Sequence, residues 1–152
     1  MSANQPLRAL TVKQPFASLI CWGVKPIENR SQKTNIRGKV LIHAGAQFYK
    51  GGSEPKTLLT YHQWNNLSGN QQRKLVSQSA NHIPLSAIIG EVEIIDCVQD
   101  SKCVWAIPGY WHWVLDNAVM YPEPIPCKGA LSFWRPQGAT VDAIFEQRFL
   151  TI

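Results

Sequence analysis

The chain has 152 residues, 45% hydrophobic and 16% charged, and carries a formal net charge of +5. That length supports one well-buried core, expected as a single domain over residues 1–152, and the basic balance favours polyanionic partners. The polar, uncharged start Met1–Gln5 and the lack of a long apolar run exclude a secretion signal and a membrane span, so a soluble, cytoplasmic protein is expected.

In chain order, a short strand in the run from Leu10 feeds a short helix. Pro15 suits its first position, where a missing N–H costs nothing; Phe16, Leu19 and Ile20 follow at helical spacing, and Gly23 supplies the left-handed stop. Pro26 cannot donate to a ladder, so the segment Val24 to Arg30 is expected at a sheet edge or a bulge. It carries Lys25, Glu28 and Arg30. In plain alternation Glu28 and Arg30 share a face, and Lys25 joins them only if the strand bends near Pro26. Charges of both signs beside an apolar element are costly unless they pair or meet a ligand, which makes this segment the first candidate for a polar site. The basic excess sits in the same region: Arg8, Lys13, Lys25, Arg30, Lys33, Arg37, Lys39 and Lys50 fall in the first third, where Glu28 is the only acidic residue.

Further on, Gly38 to Gly45 is a glycine-bounded β-branched strand, and Glu54 to about Ser79 predicts helix interrupted near Ser68-Gly69-Asn70. Ala87 to Val98 alternates as a long strand with Gly90 a candidate bulge, and Tyr110 to Leu115 predicts another strand. Asp116-Asn117 signals a turn. The alternate prolines of Tyr121 to Pro126 predict an extended loop rather than helix or central strand. Lys128 to Trp134 then closes the sheet, and Val141, Ile144, Phe145 and Arg148 are spaced to pack a last helix on the core. Cys21, Cys97, Cys103 and Cys127 lack the close pairing of a zinc site, so free thiols are expected, with no metal and no cofactor.

The runs Lys13-Gln14-Pro15-Phe16-Ala17-Ser18-Leu19-Ile20 and Gly23-Val24-Lys25-Pro26-Ile27-Glu28-Asn29-Arg30 resemble the signature Q-P-[WF]-A-x-L-I-x-x-G-x-K-x-x-E-x-R of the ASCH domain. Gly38 to Ala44, Gly90 to Ile94, and Trp111 to Leu115 followed by Pro126 to Gly129 fall in the expected order, so the resemblance spans nearly the whole chain. It implies an α+β fold: a small PUA-like β-barrel with helices packed at its ends and a cleft for RNA or a nucleotide beside the first helix. Carried over by position, Lys13, Gln14, Lys25, Glu28 and Arg30 would line that cleft, with His43, Glu91, Trp113 and Lys128 as weaker additions.

Each residue has a plainer reading beside the functional one. Lys25 and Arg30 suit phosphate contacts, while Glu28 either accepts from a base or simply pairs with Arg30 to tie strand to helix. His43 reads as a satisfied imidazole or as an acid–base group, and Trp111 and Trp113 as barrel wall or as a stacking platform worth about 1–3 kcal/mol per base. The rival class is an enzyme. Some ASCH proteins resemble amidohydrolases that deacylate N4-acylcytidine with a lysine, a threonine and a glutamate. This chain keeps Lys25 but places Glu28 where the threonine nucleophile belongs, so Lys25 and Glu28 would be its catalytic pair only through altered chemistry, such as Glu28 acting as general base on water. RNA cleavage involving His43, and an adaptor role for the Pro122–Pro126 segment, are the remaining alternatives.

Overall fold

The computed structural model describes residues 6–49, 59–77, 79 and 82–152; the Met1–Gln5 start, Lys50 and the first part of the expected middle helix, from Glu54, lie outside these. The strands are β1 (Ala9–Gln14), β2 (Ile27–Arg30), β3 (Gly38–Phe48), β4 (Ala87–Val98), β5 (Trp111–Pro126) and β6 (Phe133–Trp134). Among the described residues the helices are α1 (Phe16–Cys21), α2 (Tyr61–Asn65), α3 (Gly69–Ser77) and α4 (Ala139–Leu150). The six strands form one sheet in the order β2-β5-β4-β3-β1-β6. All neighbours are antiparallel except β1 and β3, which align Thr11 with His43. The architecture is α+β, with the sheet curled into a half-barrel.

Strand alternation sorts the two faces. Leu10, Val12, Val40, Ile42, Ile89 and Trp113 pack the concave interior, whereas Ala9, Leu41, Ile88, Tyr121 and Ile125 pack outward against Ile144 of α4. A third cluster joins Leu19 and Ile27 to Leu67, Leu75 and Trp105, placing α1, α2 and α3 together at one end of the sheet. The curl brings the sheet's two ends close. Trp113 of β5 stacks on Phe133 of β6 with ring centres 5.5 Å apart and planes 9° from parallel, and Arg30 Nη2 of β2 donates to Thr11 O of β1 at 3.1 Å. Side chains, rather than a ladder, therefore bridge this seam.

Several local expectations are refined. Pro15 caps α1 instead of opening it, its carbonyl accepting from Leu19 N at 3.1 Å. Gly23, at φ +77°, ends the helix as expected. The middle helix is interrupted at Asn66 to Ser68, between α2 and α3.

Residues Asp116-Asn117 and Tyr121–Pro126 are a correction: no turn or loop separates them, and β5 is one 16-residue strand. The turn chemistry appears instead as a bulge inside the strand, with Asn117 at φ +52°, Asp116 Oδ1 accepting from Asn117 N at 2.8 Å and the register against β4 shifting nearby. The prolines are tolerated because β2 pairs only with Trp111–Val114. Pro122, Pro124 and Pro126 share one parity, so their ring nitrogens all face the side of β5 that β2 leaves open.

Gly90 is a bulge position, and a Cβ there would lie 2.1 Å from Val119 O and 2.9 Å from Cys21 Sγ. On α4, Ile144 is fully buried, contributing about 2 kcal/mol of apolar burial, while Phe145 points outward at 52% exposure and Gln147 takes the second buried position. All four cysteines are free thiols, Cys21 and Cys97 buried and the other two half-buried.

Candidate functional site

The opening segment delivers its charges to one place. After Gly23 the chain doubles back, Val24 N and Lys25 N both donating to Leu19 O at 3.1 and 3.0 Å, so Lys25 leaves the turn before β2 begins. Its ammonium thereby reaches Glu28 Oε1 at 3.6 Å, donates to Ile27 O and lies 5.4 Å from the centre of the Phe16 ring. Lys25 is 4% and Glu28 7% exposed. Burial pulls the Lys25 ammonium below the ordinary lysine range, and the Glu28 charge works against that fall.

Glu28 Oε2 accepts from Arg30 Nε at 2.8 Å, and Arg30 in turn holds Thr11 O. Among the described residues Nη1 of Arg30 has no partner. Because β2 pairs Glu28 with Trp113 and Arg30 with Trp111, all four side chains share the concave face, and the Arg30 guanidinium lies 5.7 Å from the Trp113 ring centre.

Arg30 stands at the lip of a cavity of about 330 Å³ in the seam. Leu10, Ile36, Trp113 and Phe133 make its apolar wall, and residues 31–35 with Ser132 make its polar rim. The rim is braced. Trp113 Nε1 donates to Gln32 O at 2.9 Å, buried Thr34 accepts from Ile36 N at 3.1 Å, and Arg37 Nη1 donates to the carbonyls of Thr34 and Ile36 at 3.1 and 2.9 Å. Lys33 extends the cationic lip, its ammonium 5.7 Å from the Trp111 ring centre. Among the described residues no acidic side chain lines the cavity. Its size and its mixture of aromatic wall and few polar groups suit a small organic ligand or one unit of a polymer.

The other candidate residues divide by location. Lys13 is exposed, on the alternation parity opposite Leu10 and Val12. Gln14 is fully buried: its Nε2 donates to Ser18 Oγ and Pro84 O, each at 2.9 Å, and its Oε1 accepts from Ser18 N at 3.0 Å, so it locks β1 to α1.

His43 lies on the outer face beside Trp134. A consistent hydrogen-bond chain runs there: Trp134 Nε1 donates to Thr11 Oγ1 at 3.0 Å, Thr11 donates to His43 Nδ1 at 3.1 Å, and His43 Nε2 donates to Cys127 O at 2.8 Å. That tautomer is inferred from the partners, and burial keeps the ring neutral by pulling its pKa down. Lys128 is exposed next to Cys127, while Gly129 packs so closely that a Cβ would lie 2.5 Å from His43 Cε1.

Glu91 is buried on the outer face under α4, its Oε1 accepting from Tyr121 OH at 2.6 Å and Arg148 Nε at 2.7 Å. Trp113, at 6% exposure, is largely enclosed by Arg30 and Phe133. The structure thus gathers Lys25, Glu28, Arg30 and Trp113, and separates His43 and Glu91 from them by the sheet itself.

Sequence reasoning passed over Gln32, Asn35, Ser132 and Phe133. Their only signal is position, a polar stretch directly after Arg30 and a serine and an aromatic where the last strand begins. Among the described residues no group of three or more His, Cys, Asp or Glu side chains gathers to hold a metal, and no helix is long and apolar enough to cross a membrane.

The comparisons agree with this architecture. Two solved structures from Zymomonas mobilis, the ASCH protein and a single-site variant of it, align with TM-scores of 0.54 at 12% identity. The variant's alignment covers 93% of this chain and 98% of that one, and the other covers 91% and 93%. At that identity the likeness concerns the fold. No curated protein matches. The family model described as ASCH domain matches residues 10–123, which include β1 through most of β5 and the whole Lys25–Glu28–Arg30 row. This chain belongs to the ASCH domain family.

Proposed function

We propose that the domain binds RNA, one nucleotide at a time, in the seam cavity, with Arg30 and Lys33 meeting phosphate and the Phe133–Trp113 wall meeting the base. The observation that carries this reading is the position of Arg30: its Nε and Nη2 are held by Glu28 and Thr11 O, and the residue lines a cavity of about 330 Å³ with an aromatic wall and, among the described residues, no acidic lining. A guanidinium held this way loses little conformational freedom when it meets an anion, which favours affinity. Phe133, half-buried, offers more ring surface than Trp113, so stacking falls chiefly on Phe133.

Binding is favoured over hydrolysis by the placement of Lys25 and Glu28. Neither lines the cavity, both are buried, and each carboxylate oxygen of Glu28 already faces a cation. A general base needs a lone pair that its water can reach, and Glu28 is buried with each oxygen turned toward a cation.

The test is fluorescence anisotropy with a labelled single-stranded RNA across a salt series. Affinity should fall steeply with salt because phosphate contacts release counterions. Lys33→Ala should flatten the slope by about one unit, as expected for one lost phosphate contact. Binding that ignores salt, or that is untouched by Lys33→Ala and Phe133→Ala together, would rule out this site.

A further inference from the structure

The geometry points to adenine as the base this cavity prefers, read by the carboxamides of Gln32 and Asn35. The inference rests on the nucleotide reading of the cavity and goes beyond it by elimination among the bases. Cytosine is matched by a carboxylate that accepts from its N4 amine. Among the described residues no carboxylate lines the cavity, and the nearby Glu28 has Oε1 facing Lys25 and Oε2 bonded to Arg30.

Guanine is matched by a two-pronged cation on O6 and N7. Arg30 has Nε held by Glu28 and one of the two Nη2 hydrogens by Thr11 O, so Nη1 is its one wholly free nitrogen, and the nucleotide reading places that nitrogen on a phosphate oxygen. Lys33 offers a point charge rather than a fork.

What remains on the rim are Gln32 and Asn35, both exposed, and among the described residues neither side chain has a hydrogen-bond partner. A carboxamide presents a donor and an acceptor in one plane, the complement of adenine's N7 and N6 amine. Uracil, through O4 and N3–H, and cytosine, through N4–H and N3, also offer a carboxamide a matching edge, but a single ring covers less of Phe133 than a purine does. The segment that carries the two amides is held by Thr34 and Arg37, so a reading head there is set before the ligand arrives.

The test measures labelled oligo(A), oligo(U) and oligo(C) RNA of equal length by anisotropy at fixed low salt, with AMP and GMP as competitors. Oligo(A) should bind about tenfold more tightly than either of the others, the discrimination expected of one good bidentate contact. AMP should compete at about one tenth the concentration of GMP. Gln32→Ala and Asn35→Ala should each weaken oligo(A) more than oligo(C) and so erode that preference.

Equal binding of all three oligomers that still depends on Lys33 would overturn the adenine assignment and leave the nucleotide site standing. A preference for oligo(U) or GMP, or variants that weaken every oligomer alike, would also overturn it. Failure of every oligomer to bind would remove both readings.

Discussion

Replacing Glu28 with Gln preserves volume and removes the negative charge held between two cations. Lys25 would then keep its ammonium at 4% exposure with an amide where its carboxylate stood. Breaking a buried pair by removing one partner costs about 3–5 kcal/mol, because an uncompensated charge is left behind. Two features place this variant near the lower bound. Burial already pulls the Lys25 pKa down, so the amine can release its proton, and the Arg30 side chain is 30% exposed and can turn to water. A loss of about 3 kcal/mol corresponds to a fall in Tm of about 6–12 °C for a chain of this size.

Lys25→Met supplies the control, since replacing both charges with uncharged groups relieves the penalty. The double variant Lys25→Met with Glu28→Gln should recover at least about 1 kcal/mol relative to the sum of the singles. Thermal and urea unfolding of all four proteins, followed by circular dichroism, measures the cycle. A Glu28→Gln protein within about 2 °C of the parent, or a strictly additive cycle, would refute the buried-charge reasoning.

His43 makes stability depend on pH. Its folded pKa lies below the ordinary 6.5 and the unfolded chain takes a proton near that value, so stability is full above about pH 6.5 and drains as pH falls toward the folded value. Urea unfolding at about pH 7.5 and 5.5 should show a loss in the parent that His43→Gln reduces; equal losses in both would contradict it. Gly90→Ala sets a Cβ 2.1 Å from the backbone oxygen of Val119, where no flexible side chain can yield, and should cost about 3 kcal/mol or more by urea unfolding. N4-acetylcytidine incubated with the pure protein should be recovered intact by chromatography. Cytidine release that vanishes in Lys25→Ala would instead establish a hydrolase.

The sequence made the first thirty residues legible because their cues are local: a proline at the helix start, apolar helical spacing, a stop glycine, and a second proline at a strand edge. The same run carries the family signature, so the fold and the charged row were visible together. Lys25 shows where locality ends. Alternation set it opposite Glu28, and only the turn through Leu19 O swings it back.

The prolines from Pro122 to Pro126 misled for a similar reason, since their tolerance in a strand depends on how far β2 extends along β5. Glu91 and His43 enter the expected cleft only through their positions in the family resemblance. Which face each occupies is fixed by register, which the chain does not state locally. The cavity was the least legible feature. It joins Leu10, residues 30–36, Trp113 and Phe133, and these meet only when the sheet curls far enough to bring β2 and β6 together. The curl also changes what Arg30→Ala means: Arg30 both faces the cavity and holds Thr11 O, so that variant should lower stability as well as binding, and Lys33→Ala is the cleaner probe.

The most direct test of the seam as the RNA site is an amide and indole NMR titration with single-stranded RNA. The Trp113 indole N–H donates to Gln32 O at 2.9 Å, so it reports on both the aromatic wall and the 31–36 rim. The account predicts that this resonance and the amides of residues 31–36 shift first and most, while the Trp134 indole, bonded to Thr11 on the outer face, stays in place. Shifts gathered around Lys13, Lys128 or the outer face of α4, with the Trp113 indole unmoved, would contradict it.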